Sequence, residues 1–294
     1  MRGVCAARFR VLQLGILLPL WLVPMLGLVV RPAPAGAVEA ARRVVSLNPS
    51  LTAILLALGA RDVLVGVDDF SLRQHPALAG LPTVGGLYNP SLEALVALHP
   101  DLVVLVPSAE QRAFRQRAAA LHLPLLSFNP VGFEDVLASI SRLGAQVGRE
   151  TQARARVAAI RRVQAKLEAA TRGRPRVRVV LVLQRDPTFV VGRGSFVDDM
   201  LRSVGAVNLA AGQGGPYPRV TREWLIAAQP QVLLDAAHGS EPATDYWSRW
   251  PSIPAVAQHR VVALPKGVAT LPGPDLDVAL RTLARAVQGP GLLE

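Results

Sequence analysis

The 294-residue chain carries a formal net charge of +11, a single cysteine and only 5% aromatic residues. Its arginines are spread out and its aromatics scarce, which speaks against a nucleic-acid partner, and the lone Cys5 leaves no disulfide to staple a small fold. The chain must stand on its own hydrophobic core, sized for one large domain or two ordinary ones.

The first 37 residues read as an export signal outside the fold. Arg2, Arg8 and Arg10 make a basic start, residues 11–30 form an uncharged apolar run, and Ala35-Gly36-Ala37 is a small-residue cleavage site. This predicts cleavage after Ala37 and a periplasmic protein. At 20 residues the apolar run is long for a signal, so an uncleaved membrane anchor is the rival reading. Pro19, Pro24 and the Ala-Gly-Ala site favour cleavage. Cys5 precedes the apolar run, whereas a lipid-bearing cysteine would follow it. The segment holds four arginines and no acid, which leaves the mature chain near +7.

Residues 44–47 form a short β-branched strand. Asn48 caps a following helix with Pro49 at its first position, and Gly59 ends it. Residues 63–67, 101–106 and 125–128 are further strands, the last two separated by a helix over 109–121. Strands alternating with helices imply a parallel sheet covered on both faces. From 133 to 172 the pattern is helix alone. Residues 149–171 contain no Gly or Pro and predict one rigid connector roughly 34 Å long, with the dense basic stretch 149–166 as its solvated face. Alternation then resumes: strands at 177–183 and 189–191, a helix at 195–204, a strand at 261–264 and a closing helix at 275–287.

One segment is written twice, 130 residues apart. Ser91-Leu92-Glu93-Ala94-Leu95 and Thr221-Arg222-Glu223-Trp224-Leu225 each open with a capping hydroxyl and carry a short apolar helix. Each helix ends at a proline, Pro100 or Pro230, followed by a strand-like apolar run. Two copies of one unit imply two similar lobes and a cleft between them, where small molecules bind. The organisation is therefore signal peptide (1–37), N-terminal α/β lobe (38–147), connecting helix (148–172) and C-terminal α/β lobe (173–294). The five histidines have no metal-ligand spacing, and no nucleophile elbow, phosphate loop or zinc-protease motif is present, so neither a direct metal site nor an enzyme is expected.

These residues resemble a known family. Arg43-Val44-Val45-Ser46-Leu47-Asn48-Pro49-Ser50, Val84-Gly85-Gly86, Pro100-Asp101-Leu102-Val103, the long helix and Val220-Thr221-Arg222-Glu223 make residues 42–290 similar to periplasmic binding proteins of the cobalamin and ferric-siderophore class. The resemblance implies an α/β fold of two lobes with central, mostly parallel sheets joined by a single long rigid helix, the class III arrangement, with a shallow cleft that closes only slightly. It also implies a non-enzymatic receptor without a cofactor of its own, which delivers a cobalt- or iron-containing chelate to an ABC importer. Glu93 and Glu223, one per lobe, are the expected docking carboxylates, each meeting an arginine of the two-fold permease. A glutamate in a first helical turn also has a purely structural rationale in the helix dipole.

Resembling proteins line the cleft from loops at strand ends. Here the candidates are Phe70, Tyr88, Phe189, Tyr217 and Trp247. Tyr88 and Tyr217 stand out because each lies on a Gly/Pro-rich loop just before a repeat helix, and aromatic faces suit a flat macrocycle. Core anchoring is the competing reading, most of all for Trp247 beside Trp250. Arg185, Arg193 and Arg219 are candidates to meet an acidic ligand, with solvated surface the favoured reading for each. The expected ligand is cobalamin or a related corrinoid, because the candidate cleft is aromatic without an evident basic triad. A ferric siderophore or haem is the alternative, and a membrane-tethered sensory or scaffold module is the reading from another class.

Overall fold

The computed structural model describes residues 39–108 and 112–292. The expected signal segment, its cleavage point after Ala37 and the start of the 109–121 helix lie outside the described residues.

Strand β1 (Val44–Ser46) leads into α1 (Pro49–Ala57), and Asn48 starts this helix as the sequence demands. Its Oδ1 accepts the N–H groups of Ser50 (3.0 Å) and Leu51 (3.4 Å), while Pro49 occupies a position whose N–H has no helical partner. Next come β2 (Leu64–Val67), α2 (Asp69–Gln74), α3 (Leu92–Ala97), β3 (Leu102–Leu105), α4 (Arg112–Ala120) and β4 (Leu125–Ser127). The four strands pair in parallel in the order β2-β1-β3-β4.

Two helices follow, α5 (Phe133–Gln146) and α6 (Glu150–Thr171). The second lobe contains β5 (Val177–Arg185), β6 (Thr188–Val190), α7 (Phe196–Ser203), β7 (Ala206–Asn208), α8 (Arg222–Ala228) and β8 (Val232–Asp235). It is completed by α9 (Ala243–Trp247), α10 (Pro254–Ala257), β9 (Val261–Ala263) and α11 (Leu276–Gln288). The strand order is β6-β5-β8-β9, with β7 parallel to the first half of β5 and β6 antiparallel to its last half. The mostly parallel two-lobed α/β fold is thus present, with the long helix between its halves.

The sequence repeat is one structural device used twice. Ser91 Oγ accepts the Ala94 N–H and Thr221 Oγ1 accepts the Trp224 N–H, both at 3.2 Å. Each helix ends in a left-handed residue, His99 (φ 44°) or Gln229 (φ 49°), just before its proline. An arginine from the neighbouring strand segment then caps the freed carbonyls: Arg43 Nη2 donates to Leu98 O (2.6 Å) and Arg178 Nη2 to Ala228 O (2.8 Å).

A continuous hydrophobic core runs from Val44 and Leu51 in the first lobe, through α5 and α6, to Val179, α7 and α11 in the second. Helix α6 contributes Ala153, Ile160 and Leu167, a buried stripe at seven-residue spacing. Gly144 lets α5 approach, since a Cβ there would lie 2.4 Å from Ala153 Cβ. Two hydrogen bonds reinforce this frame: the Phe196 N–H to Val131 O (2.7 Å) and the Phe133 N–H to Asp199 Oδ2 (2.9 Å).

The basic stretch on α6 departs from the expected solvated face. Arg149 pairs with Asp62 (3.0 Å), Arg161 with Glu134 (2.6 Å), and Arg156 grips Asp277 while its Nε donates to Pro274 O (2.7 Å). Burial alone would raise the Asp277 pKa. The Arg156 hydrogen bonds and charge, with help from the Val278 N–H and Arg281, outweigh it and hold the carboxyl below the usual range.

Candidate ligand-binding site

In open α/β sheets, ligands bind outside the carboxyl ends of the strands. In the first lobe this end is built by α2 and the loop that precedes α3. Asp68 is buried and caps α2, its Oδ1 accepting the Phe70 and Ser71 N–H groups at 2.9 and 3.0 Å. A chain of hydroxyls from Ser71 through Thr52 to Ser46 (2.9 and 2.8 Å) ties that cap to the end of β1. The Asp69 N–H reaches Gly85 O (3.1 Å), which lashes α2 to the glycine loop. Within the loop, Asn89 N–H donates to Gly86 O (3.3 Å), a tight turn with Tyr88 inside it. Phe70 and Tyr88 therefore emerge from adjoining backbone, 43% and 60% exposed, and Arg73 stacks 4.6 Å over the Phe70 ring.

The second lobe uses a different construction. Residues 216–220 run antiparallel to β6: Val190 N–H donates to Pro218 O (3.1 Å), Gly192 N–H to Pro216 O (2.9 Å) and Val220 N–H to Thr188 O (3.0 Å). Phe189 pairs opposite Arg219, so the two-residue period puts Phe189, Tyr217 and Arg219 on one face while Thr188 and Val190 are buried on the other. Tyr217 is 42% exposed, and its partial burial pushes the phenol pKa up. The approach depends on Gly192, where a Cβ would lie 2.2 Å from Gly215 O and 2.7 Å from Pro218 Cδ. From the sequence, Gly192 is only part of a turn; its steric role needs the loop that lies against it.

Trp247 does not belong to this surface. It is completely buried in the second lobe, flanked by Tyr246 and Trp250 with ring centroids 4.9 and 5.6 Å away, and its Nε1–H donates to Asp235 Oδ2 (2.5 Å). A ring without accessible area cannot contact a ligand, so its assignment as a ligand residue is corrected to core anchoring. Arg185 is corrected too. It is not solvated surface: its side chain is 11% exposed, its Nε donates to Asp235 (3.0 Å), its Nη1 donates to Glu241 O (2.8 Å), and it stacks 4.7 Å over Tyr246. Arg193 and Arg219 are exposed as expected.

Glu93 and Glu223 are exposed in the first turns of α3 and α8. Each of these helices feeds the parallel strand that follows it, β3 or β8, so each N-terminus lies at the carboxyl edge of its sheet, the same side as the aromatic loops. The Glu223 carboxyl is held below its usual range by its own backbone N–H, then by the Thr221 hydroxyl and the Arg222 charge. The neighbourhoods differ. Arg222 stacks 4.3 Å over Trp250 and donates to Tyr246 Oη (3.2 Å), whereas the repeat places Leu92 at the matching position beside Glu93. Among the described residues, no group of three or more His, Cys, Asp or Glu side chains is arranged to hold a metal ion.

Residues 44–268 match the model of a family described as periplasmic binding protein. A vitamin B12-binding protein of Vibrio parahaemolyticus is 27% identical over 228 residues, covering 77% of this chain and 82% of that protein. An ABC transporter substrate-binding lipoprotein of Bacillus subtilis is 27% identical over 253 residues, 84% of this chain and 80% of its own. Among solved structures, the periplasmic heme-binding protein RhuT from Roseiflexus sp. RS-1 aligns with a TM-score of 0.71 at 27% identity, over 84% of this chain and 98% of that one. The periplasmic vitamin B12 binding protein of Vibrio cholerae shares the fold at a TM-score of 0.73 and 23% identity, over 84% and 97% of the two chains. The family match and the two-lobed fold agree: this chain belongs to the periplasmic binding protein family.

Proposed function

We propose that this protein is the extracytoplasmic solute-binding component of an ABC importer, and that it captures a metal chelate, in the first place cobalamin or a related corrinoid. The observation that carries the reading is the pair of aromatic loops at the carboxyl edges of the two sheets, exposed Phe70 and Tyr88 in one and exposed Tyr217 beside half-buried Phe189 in the other. Aromatic faces are suited to a large, flat macrocycle whose rim carries polar groups. Relatives that bind vitamin B12 support this choice. The carried ligand brings its own cobalt or iron, and the protein supplies shape and apolar area.

Glu93 and Glu223 are the docking carboxylates in this reading, one on each lobe, for the two equivalent halves of a permease dimer. The family supports extracytoplasmic action. No helix among the described residues is long and apolar enough to cross a membrane.

A second reading, haem or a ferric siderophore, is favoured by the exposed Tyr88 phenol, an oxygen donor that ferric iron accepts, and by the haem-binding structural relative. One absorption spectrum separates the readings. Protein purified from cells supplied with all three chelates should carry the corrin bands; a Soret band or a catecholate charge-transfer band would move the assignment to the second reading. A protein that binds none of them would reject both.

A further inference from the structure

Behind the connecting helix lies a groove of about 550 Å³, bounded by the start of α5, the last turns of α6, the end of α7 and the entry to β5. It opens at the amino end of β5. That strand is nine residues long, so the groove is about 26 Å along the strand from the carboxyl end, where the ligand loops stand.

Two of the three carboxylates of the groove are ion-paired, while Glu168 meets only a hydroxyl and keeps its charge. Glu134 pairs with Arg161 (2.6 Å), Glu168 accepts the Ser203 hydroxyl (2.9 Å), and Asp199 accepts the Phe133 N–H and pairs with Arg202. Three arginines of the lining are not ion-paired. Arg172, Arg174 and Arg176 are exposed, and no carboxylate partners them among the described residues. The dipole at the end of α6 rationalises Arg172, its C-cap, but its influence fades within a turn and does not account for Arg174 and Arg176 in the extended segment beyond. Basic lining continues past Arg176 and Arg202 into an adjoining groove of about 320 Å³ that holds Arg193.

We propose that this groove is a binding site for phosphate-bearing anions, separate from the solute site. Guanidinium groups donate paired hydrogen bonds to phosphate oxygens in a matching planar geometry, and several unpaired ones around one concavity suit a ligand with more than one negative charge. The amide of Gln164, one of whose N–H groups donates to Ser203 Oγ (3.3 Å), adds a neutral donor in the same wall.

The test is calorimetric titration of the mature protein with pyrophosphate, beside co-sedimentation with phosphatidylglycerol vesicles. Arg172→Gln/Arg174→Gln/Arg176→Gln should weaken pyrophosphate binding about tenfold or more. Arg154→Gln/Arg162→Gln/Lys166→Gln, which removes the same charge from exposed positions of α6 outside the groove, should stay within about twofold of the parent. Equal melting temperatures would show that both variants fold, and the affinity for the transported solute should be unchanged. Vesicle binding that needs Arg172, Arg174 and Arg176, without pyrophosphate binding, would support the site with a lipid headgroup as its source of phosphate. Equal losses in both triple variants would reduce the effect to diffuse charge and overturn the proposal. So would a parent that binds neither probe.

Discussion

Replacing Gly192 by alanine tests how the second aromatic loop is seated. The new methyl would lie 2.2 Å from Gly215 O, whereas ordinary contact begins at 3.4 Å, so the loop must retreat by about 1.2 Å. That shift breaks or stretches the Gly192 N–H to Pro216 O and Val190 N–H to Pro218 O bonds, now 2.9 and 3.1 Å. At about 1 kcal/mol each, their loss costs roughly 2 kcal/mol of stability. Tyr217, between the two acceptors, moves with them, and solute affinity should fall about tenfold, the equivalent of 1.4 kcal/mol of lost ring contact. Gly86→Ala is the control: its Cβ would meet only the side chain of Asn89, Oδ1 at 2.6 Å and Cγ at 3.8 Å, which can swing away. Denaturant unfolding and calorimetric titration of both variants read the two effects. A Gly192→Ala protein with parental stability and parental affinity would refute the reasoning, because the loop would then have to accommodate a methyl inside its own backbone.

Three further outcomes are expected. Trp247→Phe, which strips Asp235 of one donor in a closed core, should cost about 1–3 kcal/mol in urea unfolding and leave solute affinity unchanged; a loss of affinity without loss of stability would return Trp247 to the ligand surface. Glu93→Lys/Glu223→Lys should abolish uptake in transport assays with affinity intact, while either single change is milder, since an exposed ion pair contributes little alone; normal uptake in the double variant would reject the docking role. Asp277, with its pKa lowered in the folded protein, contributes stability that is fully present above the ordinary aspartate value of about 3.9 and is lost as pH falls through the lower folded value. Asp277→Asn should remove that part of the acid sensitivity, and an unchanged acid-unfolding profile would show that the Arg156 grip adds nothing.

The parts of the fold governed by neighbours in sequence were legible. Asn48-Pro49, Ser91 and Thr221 act as caps because capping needs only local residues, and the 130-residue repeat carried the two-lobe architecture with it. What was not legible depends on partners distant along the chain. Trp247 and Tyr217 are both aromatics in short, Pro-flanked segments, yet Asp235 and the floor of the second lobe bury one while the β6 pairing leaves the other on an open face. Arg185 looked solvated because its partners, Asp235 and Glu241, lie 50 and 56 residues away. The arginines of α6 divide between ion pairs and solvent according to which helix lies opposite, a matter of packing that composition does not encode.

The most direct measurement is a calorimetric titration of parent, Tyr88→Ala, Tyr217→Ala and the double variant with cyanocobalamin, haemin and a ferric catecholate siderophore. Each ring should supply roughly 1–3 kcal/mol of apolar contact, so each single variant should bind its chelate about tenfold or more weakly with unchanged melting temperature, and the double variant more weakly still. Parental affinity for all three chelates in the double variant would contradict the claim that these loops form the solute site.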